Sequence, residues 1–575
     1  MFKSKVLTLI LMFMMISVPA SGAKFIPEQP VIPVHELKPG MSGYMLTVIK
    51  GTEPSKIPLK IISIIPQKPG KSMREAILIK ILGGTKLAQG MSGSPVFVNG
   101  RLAGAIRSGW EQSDQTLALA VPIEAMCSVF DFEENAVTST ESLALMNLSL
   151  SGLSVNNPSI SELSQKIGVT FTQGMNANSG NLTAGTMKLK PGDSLAGILV
   201  WGDVELSAIG TLTATAKDGR FLAFGHDFLK RGTSAYPSAG AVIHEIVNSS
   251  SFPFKLATTS IINGTITQDR EAAVGGRFGY YAPSVSCEFI FRDLDRKTED
   301  KYKFRTIADD FLTDKLIDGI LSGLAEELWG RKGQGTMSVN LRIDGRNIPN
   351  GWARRDIFFS ESNIASEAFK QAKTVINAFL TQPFSETFPA GFTVTVEATQ
   401  LPKVLIIEDV ETVSDAEPGS EIEISVKLRG WRTEPVTRKF KMKIPEDSSG
   451  VVEVIVRGGG VQSFPQTAVD EGLKSITSLE RLLTEFNAAD GNNQLIIELN
   501  TDRMENIIQN IRNKRKSSAK SKSEGRQERM PDFLPEEEEY LSETKERRIK
   551  EGTLKIYNSD YFIDGLMKRI IHVEK

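Results

Sequence analysis

The stretch KLAQGMSGSPVFVNGRLAGAI occupies residues 86–106, and a second Gly-Met-Ser-Gly occurs at 40–43, within KPGMSGYML. Glycines on both sides of a serine allow positive φ angles and the close approach of another chain, so each copy predicts a sharp turn. Asn99 and Gly100 then form the dipeptide that is typical of a two-residue β-hairpin turn, with apolar residues on both sides. The stretch therefore predicts a serine-bearing turn that is followed directly by a β-hairpin.

Short apolar runs bounded by Gly and Pro continue on both sides of this stretch. In residues 30–130 they are YMLTVIKG, KIPLKIISII, EAILIKIL and TLALAVPI; in residues 186–300 they include SLAGILVWGDVELSAIGTLTAT, GRFLAFGHDFL and SVSCEFIFRD. Runs of this kind predict β-strands. The predicted fold class is mainly β with helical segments, in an α+β protein of several domains, because 575 residues exceed one ordinary domain.

The rest of the chain divides by composition into further predicted regions. We expect a polar connecting region with one helix at 131–185, a helical or mixed region at 301–390, a small β-sandwich-like domain at 391–460 and an α/β segment at 461–510. Basic residues followed by a run of glutamates predict a charged, disordered linker at 511–545, before a C-terminal tail at 546–575. The linker is either a solvated spacer or a peripheral contact for anionic lipid or an acidic partner.

The composition excludes several classes of function. A net charge of -2 gives no general argument for a nucleic-acid partner. The two cysteines, Cys127 and Cys287, exclude a disulfide-dense scaffold and a CxxC metal site, and no HExxH motif is present. We therefore expect neither a metal ion nor an organic cofactor. The two cysteines form either one disulfide or two free thiols.

The N-terminal sequence MFKSKVLTLILMFMMISVPASGAKF has the pattern of a secretory signal peptide. Two lysines precede an apolar run at 6–18, and small residues follow at 20–23. The alternative is a retained membrane anchor, but the run is shorter than the roughly 20 residues that a spanning helix needs. We expect residues 1–23 to be removed and the protein to be exported, either to the periplasm or to the exterior of a bacterial cell envelope.

A nucleophilic serine needs an exposed hydroxyl and backbone N–H groups directed at the developing oxyanion. The segment GMSGSP at 90–95 has the Gly-x-Ser-Gly-x-Pro spacing of chymotrypsin-like proteases. This spacing makes Ser92 the candidate nucleophile, and the N–H groups of Gly90 and Ser92 the candidate oxyanion hole. The alternative is an ordinary glycine-serine turn before a strand. Ser42 lacks the following Ser-Pro and hairpin, so we expect the first copy to be only a turn.

The candidate general base is His226, which follows an apolar run and a glycine in FLAFGHDF. A histidine at the end of a predicted strand can take the proton of an attacking serine if the fold places the two residues together. The alternative is a structural histidine. His35, in a proline-rich entry segment, and His244, in AVIHEIV, compete for the same role.

Several of these segments together resemble the SpoIVB-type serine peptidase family, the stage IV sporulation protein B group. The matching segments are GMSGSP with the following VFVNGRLAGAI, GTLTATAKDGRFLAFGH at 210–226 and GTITQDREAAVGGRFG at 264–279, all within residues 30–300. The resemblance implies two chymotrypsin-like β-barrel halves, one at 30–130 that carries Ser92 and one at 186–300 that carries His226. It also implies an exported serine peptidase that acts on a protein or peptide substrate.

The chain departs from that family in two ways. Its serine segment precedes its histidine segment, although triad geometry is known to recur with different chain orders. The family's acidic residue shortly before the nucleophile has no clear counterpart, since only Glu75 is available. We therefore choose Asp269, which follows His226 at about the separation of His and Asp in chymotrypsin, to orient the imidazole. The alternatives are a plain turn aspartate at 269 and an orienting role for the adjacent Asp227.

Two functional hypotheses follow. In the first, the protein is an exported serine endopeptidase that forms an acyl-enzyme through Ser92, with self-processing or regulatory cleavage left open. In the second, it is a catalytically silent envelope scaffold or binding protein that keeps the peptidase fold. The reversed order of the segments, the missing acidic counterpart and the multi-domain C-terminal half favour the second hypothesis. The first is our prediction, because several matching segments occur in one chain.

Overall fold

The computed structural model describes residues 24–67, 74–110, 113–131, 147–175, 184–249, 253–385, 390–461, 476–501 and 540–574. The predicted signal peptide at 1–23 lies outside the described residues, as does most of the predicted linker at 511–545. The chain divides into two compact units: unit 1 comprises Met1–Met146, Ala184–Gly197 and Ile209–Tyr281, and unit 2 comprises Asn147–Thr183, Ile198–Ala208 and Ala282–Lys575. Both units consist mainly of β-strands, which confirms the predicted fold class.

Unit 1 contains a closed barrel of six strands in its first segment. They are β1 (Ser42–Val48), β2 (Pro54–Pro66), β3 (Glu75–Ile81), β4 (Pro95–Val98), β5 (Arg101–Ser108) and β6 (Leu117–Pro122). Their order around the barrel is β1-β2-β3-β6-β5-β4. Alternate residues along the strands, such as Leu59 and Ile61 of β2, contribute to one apolar core. The predicted hairpin turn is confirmed, because Asn99 and Gly100 join β4 to β5 with φ angles of 52° and 74°.

Short elements follow the first barrel. They are α1 (Ile123–Cys127) in unit 1, and β7 (Leu148–Ser151), α2 (Pro158–Ile167) and β8 (Phe171–Gln173) in unit 2. Helix α2 confirms the helix predicted within the connecting region. The Asn157 side chain caps its first turn by accepting hydrogen bonds from the N–H groups of Ser159 and Ile160, and Gly168 ends it in the left-handed conformation.

Six further strands form a second barrel. They are β9 (Ser194–Gly202), β10 (Glu205–Thr215), β11 (Arg220–Ala223), β12 (Gly232–Val247), β13 (Phe254–Arg270) and β14 (Ala273–Phe278). Each strand pairs with the next in the order β9-β10-β11-β14-β13-β12, and β12 pairs with β9 to close the ring. This order repeats that of the first barrel strand for strand. The prediction of two barrel halves, made from the resemblance, is therefore confirmed at the level of strand topology.

Unit 2 continues with strands and helices. They are β15 (Ser284–Asp293), β16 (Thr298–Ile307), α3 (Thr313–Trp329), β17 (Gly335–Gly345), β18 (Ile348–Ser360), α4 (Ile364–Glu367), α5 (Lys370–Thr381) and β19 (Ala390–Thr399). The strands are ordered β18-β17-β19-β15-β16-β9. Helix α5 packs on this sheet through Phe379, whose ring lies 5.9 Å from that of Phe392 in β19. Helices α3 and α5 agree with the helical character predicted for residues 301–390, and the β17–β18 hairpin is an addition to it.

The C-terminal part of unit 2 is a β-sandwich. Its elements are β20 (Val404–Glu411), β21 (Asp415–Ala416), β22 (Glu421–Gly430), β23 (Val436–Lys443), β24 (Gly450–Gly458), α6 (Leu479–Ala488), β25 (Gln494–Thr501), α7 (Leu541–Lys550), β26 (Leu554–Asn558), β27 (Phe562–Asp564) and β28 (Leu566–Val573). One sheet has the order β23-β22-β20-β27 and the other β21-β28-β24-β25-β26. Both sheets contribute to one apolar core, for example through Ile424 and Val454.

The sandwich differs in extent from the predicted domain at 391–460. Strand β19 does not belong to it, because β19 pairs in parallel with β15 and antiparallel with β17. The predicted tail at 546–575 contributes β26, β27 and β28, and the segment predicted as α/β at 461–510 contributes β25. These pairings join strands that are far apart in sequence, so the alternation of one local run could not indicate them.

Candidate active site

Ser92 and His226 occupy the same connection in the two barrels. Ser92 lies between β3 and β4 of the first barrel, and His226 lies between β11 and β12 of the second. Because the two barrels share one strand order, these two connections are structural equivalents. Ser92 and His226 were predicted from separate motifs, neither of which indicates this repeat.

The two connections are in direct contact inside unit 1. The N–H group of Gly93 donates to the carbonyl oxygen of Ile106, 2.7 Å away. A β-carbon at position 93 would lie 2.4 Å from the Phe224 nitrogen, and one at position 225 would lie 2.5 Å from that same Ile106 oxygen. Gly93 and Gly225 therefore let the serine turn and the histidine turn meet around one carbonyl group, because any larger residue would separate them.

The segment Gly210-Thr211-Leu212-Thr213 of β10 binds the serine turn. Thr211 N–H donates to Ser92 O (2.8 Å), Thr211 Oγ1 donates to Gly90 O (3.0 Å) and Thr213 Oγ1 donates to Gly93 O (2.7 Å). Both threonines are fully buried. The GTLT sequence, which was predicted only as part of the family resemblance, thus has a physical role: its N–H and hydroxyl groups satisfy carbonyl groups of the turn.

The backbone N–H groups around Ser92 differ in whether they donate a hydrogen bond to a carbonyl group. The backbone N–H groups of Gln89, Met91, Gly93 and Ser94 donate to the carbonyl groups of Pro253, Ala88, Ile106 and Met91. Those of Gly90 and Ser92 donate no backbone hydrogen bond within the part of the chain that the structure describes. Gly90 has a φ angle of 89°, which few other residues adopt. These two N–H groups are the pair that the sequence analysis selected as an oxyanion hole.

The backbone before His226 is strained. Phe224 has a φ angle of 68° although it carries a side chain, and Gly225 follows with the same value. The ring of Phe224 lies on Gly210, where a β-carbon would be 2.3 Å from Phe224 Cδ1. Strain of this kind persists only where surrounding contacts enforce it, and it is concentrated at functional sites. The turn that carries His226 is therefore held by its neighbours in a conformation that the local sequence disfavours.

The imidazole of His226 is buried, with 2% of the residue exposed. Nδ1 lies 2.6 Å from the carbonyl oxygen of Asp227. Nε2 has no hydrogen-bond partner among the described residues, so the hydrogen bond to Ser92 Oγ that a serine-histidine pair needs is not formed in this conformation. Burial lowers the pKa of His226 below its usual value; Asp227 opposes this effect and the Arg107 guanidinium adds to it. The imidazole is therefore neutral near pH 7.

Asp269 lies beside the histidine turn but makes no hydrogen bond with the imidazole. Its carboxylate accepts hydrogen bonds from the N–H groups of Phe228 (2.6 Å), Leu229 (2.7 Å) and Arg231 (3.1 Å). Burial raises the pKa of Asp269 to about 6, against the lowering effect of these three bonds. In this conformation, the hydrogen-bond partner of His226 Nδ1 is the carbonyl oxygen of Asp227 and not the Asp269 carboxylate. Asp269 fixes the chain directly after His226 through these three backbone hydrogen bonds.

Two further charged residues lie near His226. Asp227 is 2% exposed, and its Oδ1 has no hydrogen-bond partner among the described residues. Arg107, which directly follows Ile106, donates from Nη1 to the carbonyl oxygen of Glu271 (2.6 Å). Burial lowers the pKa of the Arg107 guanidinium, while Glu271 and Asp227 raise it. Sequence reasoning missed Arg107, because nothing in the local sequence relates it to the histidine turn.

The competing candidates lie elsewhere. Ser42 is exposed at the start of β1, directly after the turn that Gly40 makes with a φ angle of 91°. His35 is exposed in a short 3-10 turn, and Nε2 of His244 lies 3.0 Å from Thr258 Oγ1. Glu75 is the first residue of β3. The contacts that join the serine turn to a histidine are those of His226 described above.

The described residues contain no cluster of metal-ligating side chains and no disulfide. Among the residues that it covers, no group of three or more His, Cys, Asp or Glu side chains could hold a metal ion. Cys127 and Cys287 are free thiols, and burial raises the pKa of both, that of Cys127 to about 12. None of the helices in the described ranges is long and apolar enough to cross a bilayer.

Comparison with known proteins does not identify the chain. No protein-family model matches it, and no curated protein matches it significantly.

Proposed function

We propose that the protein is an exported serine endopeptidase that hydrolyses peptide bonds, with Ser92 as nucleophile and His226 as general base. One observation carries the proposal: Ser92 and His226 lie in equivalent connections of two barrels with the same strand order, and these connections touch through Gly93 and Phe224. A second supports it, since the Gly90 and Ser92 N–H groups donate no backbone hydrogen bond in the described residues.

In this mechanism, Ser92 Oγ attacks the carbonyl carbon of the scissile bond, and its proton passes to His226 Nε2. The Gly90 and Ser92 N–H groups donate hydrogen bonds to the oxyanion. The intermediate then collapses, the C–N bond breaks, and His226 returns the proton to the leaving amine. Water attacks the resulting ester in the same way, which releases the new carboxyl group and restores Ser92.

The described conformation is closed. Ser92 is 7% exposed and His226 is 2% exposed, and His226 Nε2 is not yet bonded to Ser92. Catalysis therefore requires the hydrogen bond between Ser92 Oγ and His226 Nε2 to form and the surrounding chain to admit the substrate. Catalytic hydrogen bonds often tighten only when substrate is bound, so the closed form is compatible with a peptidase that is activated by its substrate or by processing.

The second candidate is a catalytically silent envelope scaffold that keeps both barrels. The absence of a bond between Ser92 and His226 in the described conformation favours it, as does the carbonyl group in place of a carboxylate at Nδ1. In this case, the contacts between the turns serve only to hold the barrels together.

A fluorophosphonate probe distinguishes the two candidates, because it reacts only with an activated serine. The peptidase proposal predicts stoichiometric labelling at Ser92, located by peptide mass spectrometry, and its loss in Ser92→Ala and in His226→Ala. Ser42→Ala is the matched control, since Ser42 has the same tetrapeptide but lies exposed at the start of β1. Digestion of a defined peptide library by the wild type, but not by Ser92→Ala, would show hydrolysis directly. Labelling that survives His226→Ala would contradict the proposed base.

A further inference from the structure

Unit 1 contains a buried lysine that the proposed mechanism does not use. Lys255, in β13, is 5% exposed, and its Nζ donates to Thr47 Oγ1 in β1 (2.9 Å). No carboxylate accepts a hydrogen bond from it in the described residues, and no charged group contributes to the shift of its pKa. A lysine in such a place is uncommon, because a buried ammonium needs a countercharge and acceptors for all three of its N–H groups.

Lys255 lies directly against the serine turn. The backbone N–H group of Lys255 donates to the carbonyl oxygen of Gln89 (3.0 Å), and the backbone N–H group of Gln89 donates to the carbonyl oxygen of Pro253 (2.7 Å). Its side chain lies along Gly90, where a β-carbon would be 3.0 Å from Lys255 Cδ and 3.2 Å from Lys255 Cγ. Gly90 is therefore held between the aliphatic stem of Lys255 and the hydroxyl of Thr211, which donates to its carbonyl group.

Protonation of this amine would be unfavourable in the described structure. Burial alone lowers the pKa of Lys255 from 10.5 to about 7. Titratable side chains on the neighbouring elements have other partners. Glu245 pairs with Lys50, His244 lies at hydrogen-bond distance from Thr258, and the ring of Tyr44 stacks on Phe97. Lys86 is exposed. Among the described residues, a proton on Nζ would leave a buried cation with one hydrogen-bond acceptor, Thr47 Oγ1. Solvating that cation requires water to reach a buried amine whose aliphatic stem lies along Gly90.

We propose that Lys255 is a pH-sensitive positioning residue for the serine turn: the neutral amine keeps the Gln89–Ser92 backbone in place, and protonation releases it. The proposal concerns regulation of the site assigned above and so rests on the proposed function for its consequence. It implies that the N–H groups of Gly90 and Ser92 are arranged for an oxyanion at neutral to alkaline pH and lose that arrangement as the pH falls below about 7.

Hydrogen–deuterium exchange tests this without any need for activity. In a Ser92→Ala background, which excludes self-cleavage, we expect protection of the peptide covering 86–94 to fall at least tenfold between pH 8 and pH 6, after correction for intrinsic exchange. Lys255→Met keeps a stem of similar shape without a proton to gain, so its protection should be the same at both pH values. Lys60→Met, the same substitution at an exposed position of β2, should retain the wild-type difference.

A second variant addresses the single hydrogen bond. Thr47→Val removes the hydroxyl that Lys255 Nζ contacts, and the loss of protection should therefore begin at a higher pH than in the wild type. Equal protection at pH 6 and pH 8 in the wild type, or a pH difference that persists in Lys255→Met, would overturn the proposal. Absence of fluorophosphonate labelling with a Lys255-dependent exchange difference would instead overturn the peptidase function and leave the sensor role of Lys255 standing.

Discussion

Gly93 lies so close to Phe224 that a β-carbon on Gly93 would be 2.4 Å from the Phe224 backbone nitrogen. The same β-carbon would be 2.1 Å from the carbonyl oxygen of Thr211. Both neighbours are backbone atoms of the second barrel, so they cannot move aside as a flexible side chain could. The glycine after Ser92 is thus the point at which the serine turn docks onto the histidine turn.

Gly93→Ala should separate the two turns. The new methyl group meets backbone on two sides and also requires a left-handed φ of 86°. We expect a loss of about 3 kcal/mol or more in the free energy of unfolding, in the range of severe core substitutions. Urea unfolding, followed by hydrogen exchange in peptides from unit 1, measures the change. Fluorophosphonate labelling of Ser92 should be lost in the same variant.

Gly40→Ala is the matched control for this substitution. Gly40 has a φ angle of 91°, and no atom lies within 4 Å of the position that its β-carbon would take. An alanine at position 40 therefore adds only backbone strain, which costs about 1–2 kcal/mol for a left-handed residue. Equal destabilisation by Gly40→Ala and Gly93→Ala would mean that the contact with Phe224 has no energetic weight.

Replacement of Asp269 should loosen the chain after His226. Asp269→Ala leaves the N–H groups of Phe228, Leu229 and Arg231 without their acceptor, and we expect a loss of about 3 kcal/mol at pH 8. Fluorophosphonate labelling of Ser92 should fall as well, because the backbone that follows His226 moves. Asp218→Asn, at an exposed aspartate whose Oδ1 accepts from the Arg220 N–H group, serves as the control and should change labelling little.

The pH dependence of Asp269 has a definite sign. Burial raises its pKa from 3.8 to about 6, so the folded protein binds this proton more readily than the unfolded chain. The contribution of Asp269 to stability is therefore fully present below pH 3.8 and is lost as the pH rises through 6. Asp269→Asn lacks this proton, so the stability advantage of the wild type over the variant should grow between pH 7 and pH 4.5. Urea midpoints measured at both pH values would contradict the assignment if the difference were constant.

The pH dependence of Lys255 has the opposite sign. Its pKa is about 7 in the folded protein and 10.5 in the unfolded chain, so its contribution to stability is present above pH 10.5 and is lost as the pH falls to 7. The free energy of unfolding of Lys255→Met should therefore rise relative to that of the wild type by about 2 kcal/mol as the pH falls from 9 to 7.5, since one pKa unit corresponds to about 1.4 kcal/mol. Urea unfolding of unit 1 at the two pH values provides the measurement. A gain of the same size at both pH values would show that only shape, and not charge, had changed.

An ion-pair cluster in unit 2 provides a test that should leave the candidate site untouched. Arg457 is 5% exposed and lies 2.9 Å from Asp490 and 2.7 Å from Glu498. Arg457→Met removes one cation from both buried carboxylates. We expect the free energy of unfolding of unit 2 to fall by about 3 kcal/mol. Ser92 labelling should be unaffected. Lys439→Met, in an exposed pair with Glu423, should have no measurable effect on stability.

The extent to which the site could be predicted differs from residue to residue. Ser92 and His226 could be selected because their sequences carry glycines next to a polar side chain, which is a local signal for a tight turn. Thr211 and Thr213 belong to a matching segment but had no assigned role, because their hydrogen bonds run to carbonyl groups about 120 positions away, at Gly90 and Gly93. Lys255 carries no local signal, since a lysine within an apolar strand looks the same whether it is exposed or buried.

The sequence by itself determined the local elements of this protein: the Asn99-Gly100 hairpin, the serine turn, helices α2, α3 and α5, and two β-rich blocks. These depend on periodicity, capping and glycine conformation, which act over a few residues. Only the tertiary structure decided that both barrels have one strand order, that the chain after residue 546 completes the sandwich, and that Asp269 binds backbone N–H groups instead of the imidazole. Strand pairing and buried polar contacts join residues distant in the chain, so their energies are set by the folded arrangement and not by any local stretch.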